Sequence, residues 1–366
     1  MICIMGGRPH LAHGALISAA GEALRREGEV YIVVPKQLTL QTELDLIRAL
    51  EPGGSFRLNV LSPERLCARI FDTAGKPEGE RVDDRGRVML ARRALNACEK
   101  QLKVYSGAGH RRGFPARAAR QLEILRQAGM TPKEVRALAA KREGLFAAKL
   151  TDMAQLLEQY LAFLDGGYLD GEGVFLAAAE EASASQAARC AGMVFYGFDL
   201  MPRPLHKLIA ALGAVCPVTL IFAADPDTHA PDADLYLAVN RSIGRLRDQA
   251  REAGVEIVSR RMEEEGASPR PEDLTHLCNY LFARKGTAYA GPREGVSLIS
   301  LKDPASEAAY VAGKCREAAM AGARWNDMMV VCEDLSGYGR CLQDAFSAFD
   351  IPLFLSTSRP ASRHPL

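Results

Sequence analysis

The chain has 366 residues, enough for two domains, or three if one is inserted into another. A hydrophobic fraction of 48% with 25% charged residues is that of a globular protein, which excludes disorder and collagen-like repeats. Forty-six Lys and Arg against 45 Asp and Glu leave a net +1, so total charge neither requires nor excludes a polyanionic partner. The local balance is different: residues 81–149 carry 17 Lys/Arg against 6 Asp/Glu, and residues 150–240 carry 3 against 12. A basic segment inside a neutral chain predicts a face able to meet a polyanion.

Nine cysteines at 3, 67, 98, 190, 216, 278, 315, 332 and 341 form no CxxC and sit mostly in apolar stretches. That pattern predicts reduced thiols, with Cys98, Cys190 and Cys216 in or near a core, rather than a disulfide framework or a zinc ribbon. The longest apolar run, Leu208 to Ala224, is interrupted by Gly213 and Pro217 and reads as a helix end plus a strand. A soluble, cytoplasmic protein without a membrane span is expected.

In chain order, Met1 to Met5 reads as a strand, Gly6 to Pro9 as a turn, and Leu11 to Arg26 as a helix. Val30 to Val34 is a continuous β-branched run closed by Pro35, as in a strand buried on both faces. Thr39 is placed to cap a helix running to Leu50; Leu58 to Leu61 is a third strand, and Ser62-Pro63-Glu64 opens another helix. Strands alternating with helices imply a parallel sheet. From Asp84 to about Glu181 only helical patterns occur, at 84–102, 116–128, 132–142, 145–165 and 172–185. Strands return at Met193 to Tyr196, Val218 to Phe222 and Val255 to Val258, with helices at 204–212 and 234–253 between them. A second α/β unit is expected from strands at 296–300, 328–331 and 351–355 and helices at 305–321 and 335–349. The predicted domains are 1–80 plus 190–260, an inserted helical subdomain at 81–189, a linker at 261–294 and a second unit at 295–366 that reads as truncated.

The turn after the first strand is where a phosphate-binding P-loop, GxxxxGK[ST], would lie. Gly7 matches, but Ala12 replaces the second glycine, His13 the lysine, and Gly14 the hydroxyl residue, while Pro9 lacks an N–H. Gly7, Arg8, His13 and Gly14 therefore read as a degenerate nucleotide-binding loop. His10-x-x-His13 near Cys3 offers too few ligands for a metal. Neither a metal site nor a catalytic residue is expected.

The ordered segments Gly7-Arg8, Val33 to Glu43 (VVPKQLTLQTE), Asn59 to Leu66 (NVLSPERL), Val194 to Ile209, Ala305 to Val331 and FDIPLFL with the closing His364-Pro365-Leu366 together resemble one family. It is the family of the B subunit of the bacterial ATP-dependent helicase/deoxyribonuclease (AddB, or RexB), which has a UvrD-like helicase layout. The resemblance covers essentially the whole chain but about a third of a full-length family member. It implies a RecA-like, P-loop-type parallel sheet with an inserted all-helical subdomain and the start of a second RecA-like domain. It also implies a heterodimer with the A subunit of the helicase–nuclease, single- and double-stranded DNA as substrates, and a role in processing DNA ends for recombinational repair. ATP and Mg would act in the partner, and an iron–sulfur cluster in a nuclease domain outside this sequence.

This sequence departs from an active helicase at four places. His13 replaces the lysine; Tyr196-Gly197-Phe198 stands where an acidic pair belongs, with only Asp199 near; Asp225-Pro226-Asp227-Thr228 replaces a nucleotide-sensing Gln; and Glu333 replaces an Arg. On its own, Asp225 with Asp227 reads as turn and cap residues. The candidate DNA contacts are Gln37, Thr39, Ser62 and Arg65 at strand ends, and Arg92, Arg93, Arg111 and Arg112 in the basic block, with Arg85, Arg117 and Arg120 nearby. The alternatives are a P-loop-derived small-molecule kinase or transferase, and a scaffold that binds only its partner subunit. In that last case the basic block is a solvated surface or a subunit contact.

Overall fold

The computed structural model describes residues 1–50, 56–224, 232–262 and 270–356. The chain opens with three strand–helix units. β1 (Ile2–Gly7) precedes α1 (Ala12–Leu24), β2 (Val30–Val33) precedes α2 (Thr39–Leu50), and β3 (Leu58–Leu61) precedes α3 (Pro63–Ala74). The two-residue strand β4 (Glu80–Arg81) leads into α4 (Asp84–Ala97), α5 (Phe114–Gln127), α6 (Pro132–Ala139) and α7 (Gly144–Asp165). After β5 (Tyr168–Leu169) and α8 (Gly171–Glu181), strand–helix alternation resumes. β6 (Gly192–Tyr196), α9 (Arg203–Val215), β7 (Val218–Ala223), α10 (Leu237–Glu252) and β8 (Ile257–Arg261) complete it.

Six of these strands form one sheet in the order β3-β2-β6-β7-β1-β8, and every ladder between them is parallel. β2 lies inside the sheet, between β3 and β6, and is buried throughout, which is why its sequence is an unbroken apolar run. The two-residue period divides it between two cores. Tyr31 and Val33 join α3, α8, α9 and α10 on one face. Val30, Ile32 and Val34 join α1 and α2 on the other. The result is a three-layer α/β/α body.

The helical block supplies no strand to that sheet. Leu90, Leu95, Leu122, Val135, Leu156, Leu157 and Tyr160 give α4 to α7 a core of their own. Its limits differ from the predicted 81–189, because Val174, Phe175 and Ala178 of α8 pack into the sheet's core. α8 follows the lobe helices without a break in helical pattern, so pattern alone cannot say which core receives it. β4 pairs with β5 in a short parallel ladder, Glu80 opposite Tyr168 and Arg81 opposite Leu169, which ties the lobe's two chain connections together. Close by, Arg126 of α5 grips Asp170 with two bonds of 3.0 and 2.7 Å, and the same carboxylate caps α8 through Gly173 N–H at 2.7 Å.

Contact density separates a first unit, 1–269 with 276–288, from a second made of 270–275 and the residues from 289 onward. α11 (Glu272–Tyr280) falls inside the predicted linker, and β8 reaches into it as far as Arg261. In the second unit α12 (Pro304–Met320) and α13 (Leu335–Ala348) pack through Ala308, Ala312, Leu342 and Phe346. The predicted strands 296–300, 328–331 and 351–355 are unpaired among the described residues. Val330, Leu353 and Leu355 lean on the helices while Met329, Val331 and Phe354 are exposed. The alternation is real, but alternation names a strand's two faces and not its hydrogen-bonding neighbour.

No helix among the described residues is long and apolar enough to cross a membrane. His206 of α9 is buried, its Nε2 3.2 Å from Ser242 Oγ and its Nδ1 without a hydrogen-bond partner. Burial, aided by Arg245 and Arg203, pushes its pKa down to about 4. The unfolded chain takes up this proton near pH 6.5 and the folded chain does not. Stability is therefore expected to fall as pH drops from about 6.5 to 4, by up to roughly 3 kcal/mol. Denaturant melts of the wild type and of His206→Gln across that window test this, and the variant should lose most of the slope.

Candidate nucleic-acid interface

A wholly parallel sheet delivers all its strand ends to one edge, where open α/β sheets bind ligands. The predicted loop leaves that edge after Gly7. Pro9 to Leu11 wind into a 3-10 turn, and α1 begins at Ala12. Leu11 N–H donates to Arg8 carbonyl at 3.0 Å and Ala12 N–H to Pro9 carbonyl, so amides a phosphate would need serve the turn instead. Arg8 reaches across to Asp232, pairing with both carboxylate oxygens, one at 3.2 Å, and to Tyr236 hydroxyl at 3.3 Å. Asp232 is only 2% exposed, so this pair is largely withdrawn from water. The hydrogen bond to Asp232 in turn raises the guanidinium pKa further. A Cβ on Gly7 would lie 2.9 Å from Met262 Cβ, and Met262 N–H donates to Gly6 carbonyl at 2.9 Å. Only glycine fits under that methionine. His13 is exposed, its Nε2 3.7 Å from Asp45 of α2, and Gly14 faces open space.

The neighbouring strand ends are also committed. Thr39 does not cap α2: its hydroxyl donates to Lys36 carbonyl at 3.0 Å. Ser62 does cap α3, accepting from Arg65 N–H at 3.4 Å, but it is buried and donates to Glu64 at 2.7 Å. Each of these two hydroxyls closes its own turn. Gln37 and the Arg65 side chain remain exposed beside them. After β6, Gly197 adopts φ +78°, and a Cβ there would meet Leu38 Cδ1 at 2.7 Å, so this glycine lets the loops after β2 and β6 close together. Asp199 and Glu333 are exposed, whereas Asp225, Asp227 and His364 to Leu366 lie outside the described residues.

The basic block divides by partner. Arg87 bridges Asp84 and Glu123, Arg136 pairs with Glu158, and Arg126 with Asp170. Arg93 lies 4.3 Å over the Phe163 ring. Arg92, Arg111, Arg112, Arg117 and Arg120 are exposed and make no ion pair among the described residues. These five sit on the lobe, apart from the sheet edge in packing. Sequence reasoning missed Asp232, Tyr236 and Met262, which hold the Gly7–Arg8 turn. Asp232 is 224 positions from Arg8, and no local spacing signals such a pair.

Residues 15–277 match the family model described as "ADDB, N-terminal". The B subunit of the ATP-dependent helicase/deoxyribonuclease of Desulforudis audaxviator is 32% identical over 350 residues, covering 91% of this chain and 30% of that protein. Its counterpart from Moorella thermoacetica is 29% identical over 353 residues, covering 92% and 30%. That of Symbiobacterium thermophilum is 26% identical over 369 residues, covering 96% and 31%. The chain thus spans about 30% of the length of the curated relatives it matches.

Removing Arg8 strands a buried carboxylate. Arg8→Ala is expected to destabilise the first unit by about 3 to 5 kcal/mol. Arg8→Ala with Asp232→Ala should recover most of that loss, as chemical denaturation of the two variants will read.

Proposed function

The chain belongs to the AddB N-terminal family, and from that premise we propose that it is a DNA-holding, nucleotide-silent part of a helicase–nuclease. Its parallel sheet is then a RecA-like fold kept without the groups that hydrolyse ATP. Hydrolysis falls to a partner chain, and the assembly processes double-strand DNA ends for recombinational repair. The observation that carries the reading is the filled phosphate position. Arg8 is held by buried Asp232, the Leu11 and Ala12 amides serve a 3-10 turn, and Met262 covers Gly7. The residues present do not fit a bound triphosphate. A kinase or transferase would need that same loop open. DNA contact is supported by the lobe's exposed arginines that make no ion pair among the described residues, among them Arg85, Arg92, Arg111, Arg112, Arg117 and Arg120.

Calorimetric titration with Mg-ATP is expected to show no binding at the Gly7–Gly14 loop, and a micromolar Kd there would refute the silent site. Oligo(dT) binding, measured at several salt concentrations, should weaken steeply with salt. Changing Arg92, Arg93, Arg111 and Arg112 to Ala should lower the log–log slope by about 0.7 for each phosphate no longer neutralised. An unchanged slope would return the lobe to a solvated surface or a subunit contact.

A further inference from the structure

Between α5, α7 and the 103–114 loop lies an open cavity of about 500 Å³, within the range of small-ligand pockets (about 300–1,000 Å³). Tyr105, Phe114 and Met153 line it with apolar surface, and Arg117, Arg120 and Gln121 stand at it from α5. No carboxylate is among its described lining residues.

The cavity is built rather than incidental. Tyr105 and Phe114 pack with ring centroids 5.3 Å apart and planes tilted by 52°. The backbone that carries Tyr105 is fixed by Asp152 of α7, a buried carboxylate next to Met153. It accepts N–H bonds from Lys103 at 3.0 Å, Val104 at 2.7 Å and Tyr105 at 3.0 Å. Three amides satisfy that charge and lock the loop against α7. Another wall is Ile124, 49% exposed although it is a large apolar side chain on a helix.

We propose that this cavity receives an unstacked base of single-stranded DNA, with Arg117 and Arg120 on the flanking phosphates; this rests on the DNA-holding reading above. The occupant must combine an apolar planar part with negative charge, because aromatic and aliphatic side chains make the walls and two exposed guanidiniums make the polar margin. Single-strand binders use this combination, since every base has a π-face and every linkage a charge. A paired duplex keeps its bases stacked and cannot offer one to a concave site. Gln121 adds one amide donor and one acceptor at the margin, enough to orient a base edge without selecting a sequence.

The test compares four ligands on the full chain: oligo(dT), a strand of the same length with abasic sugars throughout, dTMP, and a duplex. Oligo(dT) should bind about tenfold tighter than the abasic strand, from base–aromatic stacking. Tyr105→Leu should erase that difference while leaving the salt slope of oligo(dT) unchanged. If Tyr105→Leu lowers the melting temperature, Ile124→Glu serves instead, because it alters a half-exposed wall and brings a repelling charge. It too should cost about tenfold on oligo(dT). A 2-aminopurine in the strand should change its fluorescence on binding to wild type and not to either variant. Equal affinity for oligo(dT) and the abasic strand would overturn the base site and leave the DNA-holding reading standing. Loss of binding to both strands would overturn both. Binding of dTMP as tight as that of oligo(dT) would assign the cavity to a free nucleotide and overturn the strand. A duplex bound as tightly, with Tyr105→Leu silent, would do the same.

Discussion

Parallel pairing is the constraint from which the rest follows. Because every ladder of the six-stranded sheet runs the same way, each loop that follows a strand leaves from one edge. Those loops lie side by side, and their polar groups are satisfied within their own turns or, for Arg8, by a neighbouring loop. Arg8 goes to Asp232, Ser62 to Glu64, Thr39 to the Lys36 carbonyl, and Leu38 fills the space beside Gly197. Uncommitted cationic side chains remain at Arg65 on this edge and, in larger number, on the helical lobe.

The lobe also shows why a charge count is a blunt instrument. Its arginines do three jobs that composition cannot separate. Arg87, Arg126 and Arg136 neutralise carboxylates and join helices. Arg93 lies on an aromatic ring. Arg92, Arg111, Arg112, Arg117 and Arg120 keep their donors in solvent. An exposed guanidinium near a protein surface gains little from a distant acid through water, so arginines of this last kind, Arg85 among them, have free energy to offer a polyanion.

Much of this was legible from residue order alone. The β-branched run Val30 to Val34 announced a strand buried on both faces. The stretch without strand rhythm announced the lobe helices. What stayed hidden was non-local. The Arg8–Asp232 pair, Met262 over Gly7, and α8 in the sheet's core are each set by tertiary packing between distant segments. Ser62 was recognisable as a cap, yet its burial and its bond to Glu64 were not. In the second unit the apolar alternation at 328–331 and 351–355 marks faces correctly, but a ladder needs a neighbour that pattern does not name. The Tyr105–Phe114 cavity escaped for the same reason, since its third wall comes from α7.

The short ladder between β4 and β5 bears on how the sheet assembles at all. β2 must pair with β6, although α3, the whole lobe and α8 intervene between β3 and β6. Closing so long a loop is slow and entropically unfavourable in an extended chain. The lobe, however, has its own core, and Glu80–Arg81 lies beside Tyr168–Leu169. Once folded, it brings its entry and exit to neighbouring positions and removes itself from the contour that β6 must search. Each halving of the effective loop lowers the closure cost by about 0.6 kcal/mol. A strap of two residue pairs thereby converts a distant strand into a near one.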